Sequence, residues 1–249
     1  TSQNNFLKIP GSPIAYWASN AVLDHFQYKN VGSKMTTREG MATANNNLFL
    51  KTWNELSIDR IGFNFENEEE FNDAGYKWVP YNKGGDFRKW YGNNDLVVNW
   101  ENKGQEIKNN IDNSTGRIRS HNYNGKFAFK KGITWTALSS GLISLRYAES
   151  GFMFDSKGAK GFPNNNTEIF KLLSLLNSKV AMKYLEFISP TLDFKVGDII
   201  LIPFHDLLNG LIKCDNITEE NIALSKSDWD MYETSWDFSK HPLIQNVKL

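Results

Sequence analysis

The chain has 249 residues, 40% of them hydrophobic and 14% aromatic, which supports a substantial core in one large domain or one domain with attachments. Twenty-eight Lys and Arg balance 28 Asp and Glu, and the single Cys214 excludes an internal disulfide and a cysteine metal cluster. No stretch approaches the ~20 apolar residues of a membrane helix, and Thr1 to Lys8 has none of the features of a secretory signal, so the expectation is a cytoplasmic protein with no membrane partner.

In chain order, Pro10-Gly11-Ser12-Pro13 and the missing initiating methionine suggest a piece of a longer polypeptide. A first helix is expected at about residues 14–27, where Tyr16, Trp17, Val22, Leu23 and Phe26 recur near helical spacing. Met35 to Asn47 is polar and small, and Leu48 to Leu50 reads as a strand. Asn64 to Glu70 reads as an exposed acidic loop. From Lys77 the texture is β-like, with apolar runs at Trp78–Tyr81 and Leu96–Trp100 bounded by Gly and Asn. Lys103 to Gly116 fits a short helix or a loop. Four strands are expected at Phe127–Phe129, Ile133–Ala137, Leu142–Tyr147 and Phe152–Asp155. A long helix follows at about residues 167–188, capped by Asn165 or Thr167 and stopped before Pro190. Phe194 to Ile202 suggests a closing strand, and residues 205–249 are less regular, with Trp229 and Trp236 as anchors. The fold class predicted is mixed α/β: a mixed or antiparallel sheet packed with the long helix and the N-terminal helix.

The seven prolines include no adjacent pair, so the Asp/Asn-Pro-Pro-aromatic turn that an adenine methyltransferase holds against a flipped base is missing. No glycine-rich loop opens a helix for a nucleotide cofactor. Asp95 with Glu101 and Lys103, and Asp193 with Lys195, only superficially match a metal-dependent nuclease. His25, His121, His205 and His241 have no metal-ligand spacing. No catalytic, cofactor or metal site is therefore expected within these residues.

Binding chemistry is better represented. Residues 77–160 carry 14 cations against 7 anions, while the flanking thirds are net acidic. A basic middle can attract a polyanion although the chain is neutral overall. Within it, Asn82, Lys83, Arg88 and Lys89 sit among glycines and aromatics. A second stretch holds Arg117, Arg119, His121, Tyr123, Lys126, Lys130 and Lys131, and a third group is Arg146, Lys157 and Lys160. Arg can read guanine, Asn can bond a base edge, and Lys chiefly neutralises phosphate. The alternative for Trp78, Trp90 and Trp100 is simple core burial.

Several segments resemble PglX-type methyltransferases of BREX phage-defence systems. They are Ile9 to Trp17, Trp78 to Gly92, Val98 to Glu101, Ile133 to Gly141, Leu175 to Val180, Pro190 to Gly197 and Asp228 to Phe238, in collinear order. The resemblance implies a site-specific DNA N6-adenine methyltransferase using S-adenosylmethionine, related to Type IIG restriction–modification enzymes and to the target-recognition domains of Type I specificity subunits. Gly40 to Asn45 is similar to the Gly-Ile-x-Thr-Gly-Asn opening of such domains, with Ala44 where glycine is usual. On this basis residues 1–34 are expected to connect from a catalytic domain, 35–204 to recognise duplex DNA, and 205–249 to form an extension. The fragment itself is expected to lack catalysis and cofactor. Its implied partners are double-stranded DNA, the catalytic domain of the same polypeptide and other phage-defence proteins. A protein-docking module, with Trp229, Trp236 and the acidic tail as its surface, is the alternative, followed by the nuclease.

Overall fold

A computed structural model describes residues 7–139, 141–205 and 212–245. The first six residues of the expected connector, Ser140 of the Ile133 to Gly141 match, and residues 206–211 and 246–249 of the expected extension lie outside the described residues.

The fold is mixed α/β, as the sequence predicts. One sheet runs β1 (Met35–Arg38), β10 (Lys160–Pro163), β7 (Gly132–Trp135), β8 (Leu145–Ala148), antiparallel throughout. A second runs β3 (Leu50–Thr52), β5 (Leu96–Asn99), β4 (Trp78–Asn82), β9 (Met153–Phe154), with only the last pair parallel. Between them β2 (Met41–Ala42) pairs with β6 (His121–Asn122). The strands expected from apolar runs at Trp78, Leu96, Ile133 and Phe152 are present, because those side chains are needed inside: Trp78, Val79, Val97, Val98, Ile133 and Trp135 are all buried.

One face of the first sheet packs on helices α5 (Ile169–Leu176), α6 (Lys179–Ile188) and α7 (Val196–Ile200), through Met35, Ile133, Trp135, Leu145, Leu172, Leu173, Leu176 and Ile199. The register places Arg38, Lys160, Thr134 and Arg146 side by side on the other face. There Phe162 meets Phe154 of the second sheet edge to face, ring centroids 5.6 Å apart. The second sheet has its own core of Met41, Phe49, Val79, Tyr81, Val98, Trp100 and Met153.

Several expectations need correction. The long helix is two helices, broken where Ser178 turns extended (φ −75°, ψ 157°) and accepts from the Ala181 amide at 3.1 Å. Leu48 and Phe49 close a short helix, α2 (Asn46–Phe49), with the strand beginning only at Leu50. Phe127 ends a 3-10 turn (Gly125–Phe127) rather than opening a strand, and Phe129 has a positive φ of 67°. The closing strand is helix α7, since Ile199 and Ile202 are the buried pair and their spacing of three is helical. The N-terminal helix is only α1 (Asn20–His25), capped by Ser19, and Tyr16 and Trp17 are exposed. Part of the acidic loop is the first turn of α3 (Glu68–Asp73), where Glu68 accepts from the Trp100 indole at 2.8 Å. Residues 212–229 form an 18-residue helix, α8 (Ile212–Trp229), that packs on α5.

Candidate nucleic-acid interface

Gly40 to Asn45 sets the start of the interface. A side chain at Gly40 would meet the Phe154 carbonyl oxygen at 1.9 Å, so only glycine lets β2 lie this close to β9. Ala44 adopts a left-handed φ of 55°, the conformation a glycine would take there without strain. Asn45 then caps α2 by accepting from the Leu48 amide at 3.2 Å. Asp155 ties these pieces together: its carboxylate accepts from the Tyr81 hydroxyl (2.9 Å), Lys83 Nζ (3.0 Å) and the Lys157 amide (2.8 Å).

The sequence-nominated residues fall into three groups. Asn82, Arg146 and Lys160 are buried, at 2%, 1% and 0% exposure, and do not present a side chain to a duplex. Asn82 donates to Asn94 at 3.3 Å. Arg146 donates to the Arg88 carbonyl, Ser144 and Thr136, and burial, then the neighbouring Arg88 charge, push it down to about 10. Lys160 Nζ has no hydrogen-bond partner among the described residues, and burial pushes its pKa down to about 7.

A second group is engaged within the chain. Lys83 pairs with Asp155, Arg88 with Asp228 while lying over the Trp229 ring, Arg119 with Asp112, and Lys157 with Asp193 at 3.9 Å. Lys89 donates to the Asn177 carbonyl at 2.8 Å, and burial lowers its pKa. The third group is exposed and carries no ion pair among the described residues: Arg117, Lys126, Lys130 and Lys131.

These last four belong to one continuous stretch. Its centre is Phe127, whose ring lies under Lys126 and Lys130, each at 5.5 Å, and under Arg38 at 5.2 Å. The ring is seated on Phe162 at 4.8 Å. Arg38 was not legible from the charge distribution, because it lies in the acidic first third and reaches Phe127 only through the β1–β10 pairing. Beside this cluster, His121 and Tyr123 stack at 5.3 Å with both rings exposed, and Asn124 donates to the Glu39 carbonyl at 2.8 Å. The arrangement offers four cations at or next to Phe127, namely Arg38, Lys126, Lys130 and Lys131, with Arg117 further along the stretch, and an aromatic stack, suited to phosphates and sugar or base faces.

Other candidate chemistry is dispersed. Glu101 is bound to Lys77 at 2.8 Å, and burial raises the pKa of Asp95. Among the described residues no three His, Cys, Asp or Glu side chains gather as a metal site. Trp78 and Trp100 are core residues, and Trp90 is half-buried. Trp229 and Trp236 face their own chain, on Arg88 and on Phe63 and Phe152, so they do not form an open docking surface. No described helix is long and apolar enough to cross a membrane.

No family model matches the chain. Its similarity is to adenine-specific methyltransferases. The chain is 47% identical over 99% of its length to the adenine-specific methyltransferase PglX of Lacticaseibacillus casei (strain Zhang), of which it covers 20%. It is 36% identical, again over 99% of its length, to the adenine-specific methyltransferase BrxX of Escherichia coli O9:H4 (strain HS), covering 19%. The chain is thus related along its whole length to a segment of PglX-type adenine-specific methyltransferases, and it spans about a fifth of these relatives.

Proposed function

We propose that this segment binds duplex DNA and supplies sequence specificity to a site-specific adenine N6-methyltransferase acting in cytoplasmic phage defence. The observation that carries the reading is the cluster of Arg38, Lys126 and Lys130 on the Phe127 ring, continuous with exposed Lys131. Such cations release counterions from phosphates and hold a protein in register on the helix. Methyl transfer, with S-adenosylmethionine as donor, belongs in this reading to other parts of the polypeptide, since these residues offer no Pro-Pro turn and no glycine-rich cofactor loop. The catalytic domain and other defence proteins are the proposed protein partners.

The test is fluorescence anisotropy of a labelled duplex titrated with the chain at 50–200 mM salt. Affinity is expected to fall steeply over that range, and K126A/K130A/K131A to weaken binding at least tenfold and flatten the salt dependence. Salt-insensitive binding, or full affinity in the triple variant, would place the interface elsewhere.

A further inference from the structure

Residues 110–119 form a two-stranded ribbon that stands out from the rest of the chain. The Asp112 amide donates to the Arg117 carbonyl at 2.9 Å, the Arg119 amide to the Asn110 carbonyl at 2.8 Å, and Ile111 bridges Ile118. Gly116 closes the tip with a φ of 68°, and its amide donates to the Asp112 carbonyl at 2.7 Å. From Ile111 to Arg119 every residue except Asp112 is exposed. The base is fastened to the β2 end: Asn110 Nδ2 donates to Ser120 Oγ at 2.9 Å, and Ser120 Oγ to the Thr43 carbonyl at 2.6 Å.

Asp112 makes the ribbon rigid. Its Oδ1 accepts from the Ser114 amide (2.9 Å), the Thr115 amide (3.0 Å) and the Ser114 hydroxyl (2.5 Å). Its Oδ2 accepts from Arg119 Nε (3.0 Å) and Nη2 (2.6 Å). The carboxylate is saturated and its charge is met, so it presents little repulsion to a polyanion. The two arginines therefore differ in kind. Arg119 is committed to Asp112, whereas Arg117 is exposed and its guanidinium donates to no group among the described residues.

Building on the DNA-binding reading, we infer that this ribbon enters the major groove, with Arg117 as its base-reading side chain and Asp112–Arg119 as positioning residues. A two-stranded ribbon fits the major groove, where an arginine reads guanine bidentately. Ile111 and Ile118 favour the groove floor over the phosphate backbone. They are 49% and 53% exposed on a short ribbon, and among the DNA surfaces the thymine methyl is an apolar one that they can cover. The ribbon leads directly through β6 to the Tyr123 stack and the Phe127 cations, which would grip the flanking phosphates.

The experiment is selection of bound duplexes from a randomised library with the 249-residue chain, followed by affinity and salt slopes on the selected and scrambled sequences. The wild type is expected to enrich a motif. R117A and R117K are expected to lose discrimination at one base pair by about tenfold or more while keeping affinity for scrambled duplex. D112N keeps the turn-forming oxygen and loses the ion pair. It is expected to blur the same base pair while scrambled-duplex affinity holds or rises, a pattern that general misfolding would not give. An unchanged motif in R117A overturns the inference alone. So does a uniform loss across sequences with the slope reduced by about one, which marks a phosphate contact. Wild-type binding without any preferred sequence also overturns it but leaves duplex binding standing, whereas no duplex binding at all overturns both readings.

Discussion

Lys160 and Ala44 show what single residues cost in this fold. Lys160 lies fully buried on β10 with an amine that donates to no group among the described residues and sits 5.9 Å from the Phe162 ring. Burial holds its folded pKa at about 7, against about 10.5 when unfolded, so between those values the unfolded chain binds more protons. Stability should therefore rise as pH increases from 7 towards 10, and the full cost of charging the amine is present below pH 7. K160M is expected to raise the urea midpoint at pH 7, corresponding to a gain in unfolding free energy on the order of a few kcal/mol, and to remove that pH dependence. A lower midpoint in K160M at pH 7 would mean that the amine has a partner. Ala44 is simpler. Its left-handed φ is strained for any side chain, and A44G is expected to stabilise the fold by about 1 kcal/mol in denaturant titration. An unchanged or lowered stability would show that the turn relaxes elsewhere.

Between helices α5 and α6, Asn177 behaves as a strand residue. Its side-chain amide donates to the Leu145 carbonyl at 2.9 Å and accepts from the Leu145 amide at 3.1 Å, completing the edge of β8 from within a helix junction. N177A would leave the Leu145 amide buried without a partner, while the Leu145 carbonyl keeps the Trp90 amide at 2.9 Å, and a loss of about 1–3 kcal/mol in denaturant unfolding is expected. A loss under 1 kcal/mol would indicate that water replaces the amide. This junction also shows where sequence periodicity stops. The apolar stripe runs across Leu176 to Val180 without a gap, so spacing alone reads one helix. The break comes from what Asn177 and Ser178 bond, and that depends on β8. Strands β4, β5 and β7 were legible because their apolar runs fill cores. Strands β1 and β10 were not, because one carries Thr and Arg and the other Lys, Gly and Pro, and both are held by partners distant in sequence. Helix α8 has no apolar stripe to read. The candidate interface followed the same rule: the basic stretch was visible, but the burial of Asn82, Arg146 and Lys160 and the arrival of Arg38 were products of sheet register.

Across the whole molecule, the C-terminal segment joins the two cores. Helix α8 packs on α5 beside the first sheet, and Ser225 donates to the carbonyls of Lys89 and Tyr91, each at 3.0 Å. The chain then turns back toward the second sheet, where the Trp53 indole donates to the Thr234 carbonyl at 2.9 Å. Trp236 packs on Phe63 and Phe152 at 5.1 and 5.9 Å. None of these contacts involves Phe127 or the 110–119 ribbon, so the segment bears on stability more than on the proposed DNA contact. W236A removes a half-buried indole from an aromatic cluster, and a loss of roughly 1–3 kcal/mol is expected, below that of a fully buried tryptophan. Hydrogen exchange should quicken around Phe63 and Phe152 before it does in β7 and β8, because the first sheet keeps its own helical cover. Scrambled-duplex affinity should stay within about twofold of the wild type under conditions where W236A remains folded. Uniformly faster exchange in both sheets would show that the two cores unfold as one unit, and a selective loss of DNA binding would extend the interface to the C-terminal segment.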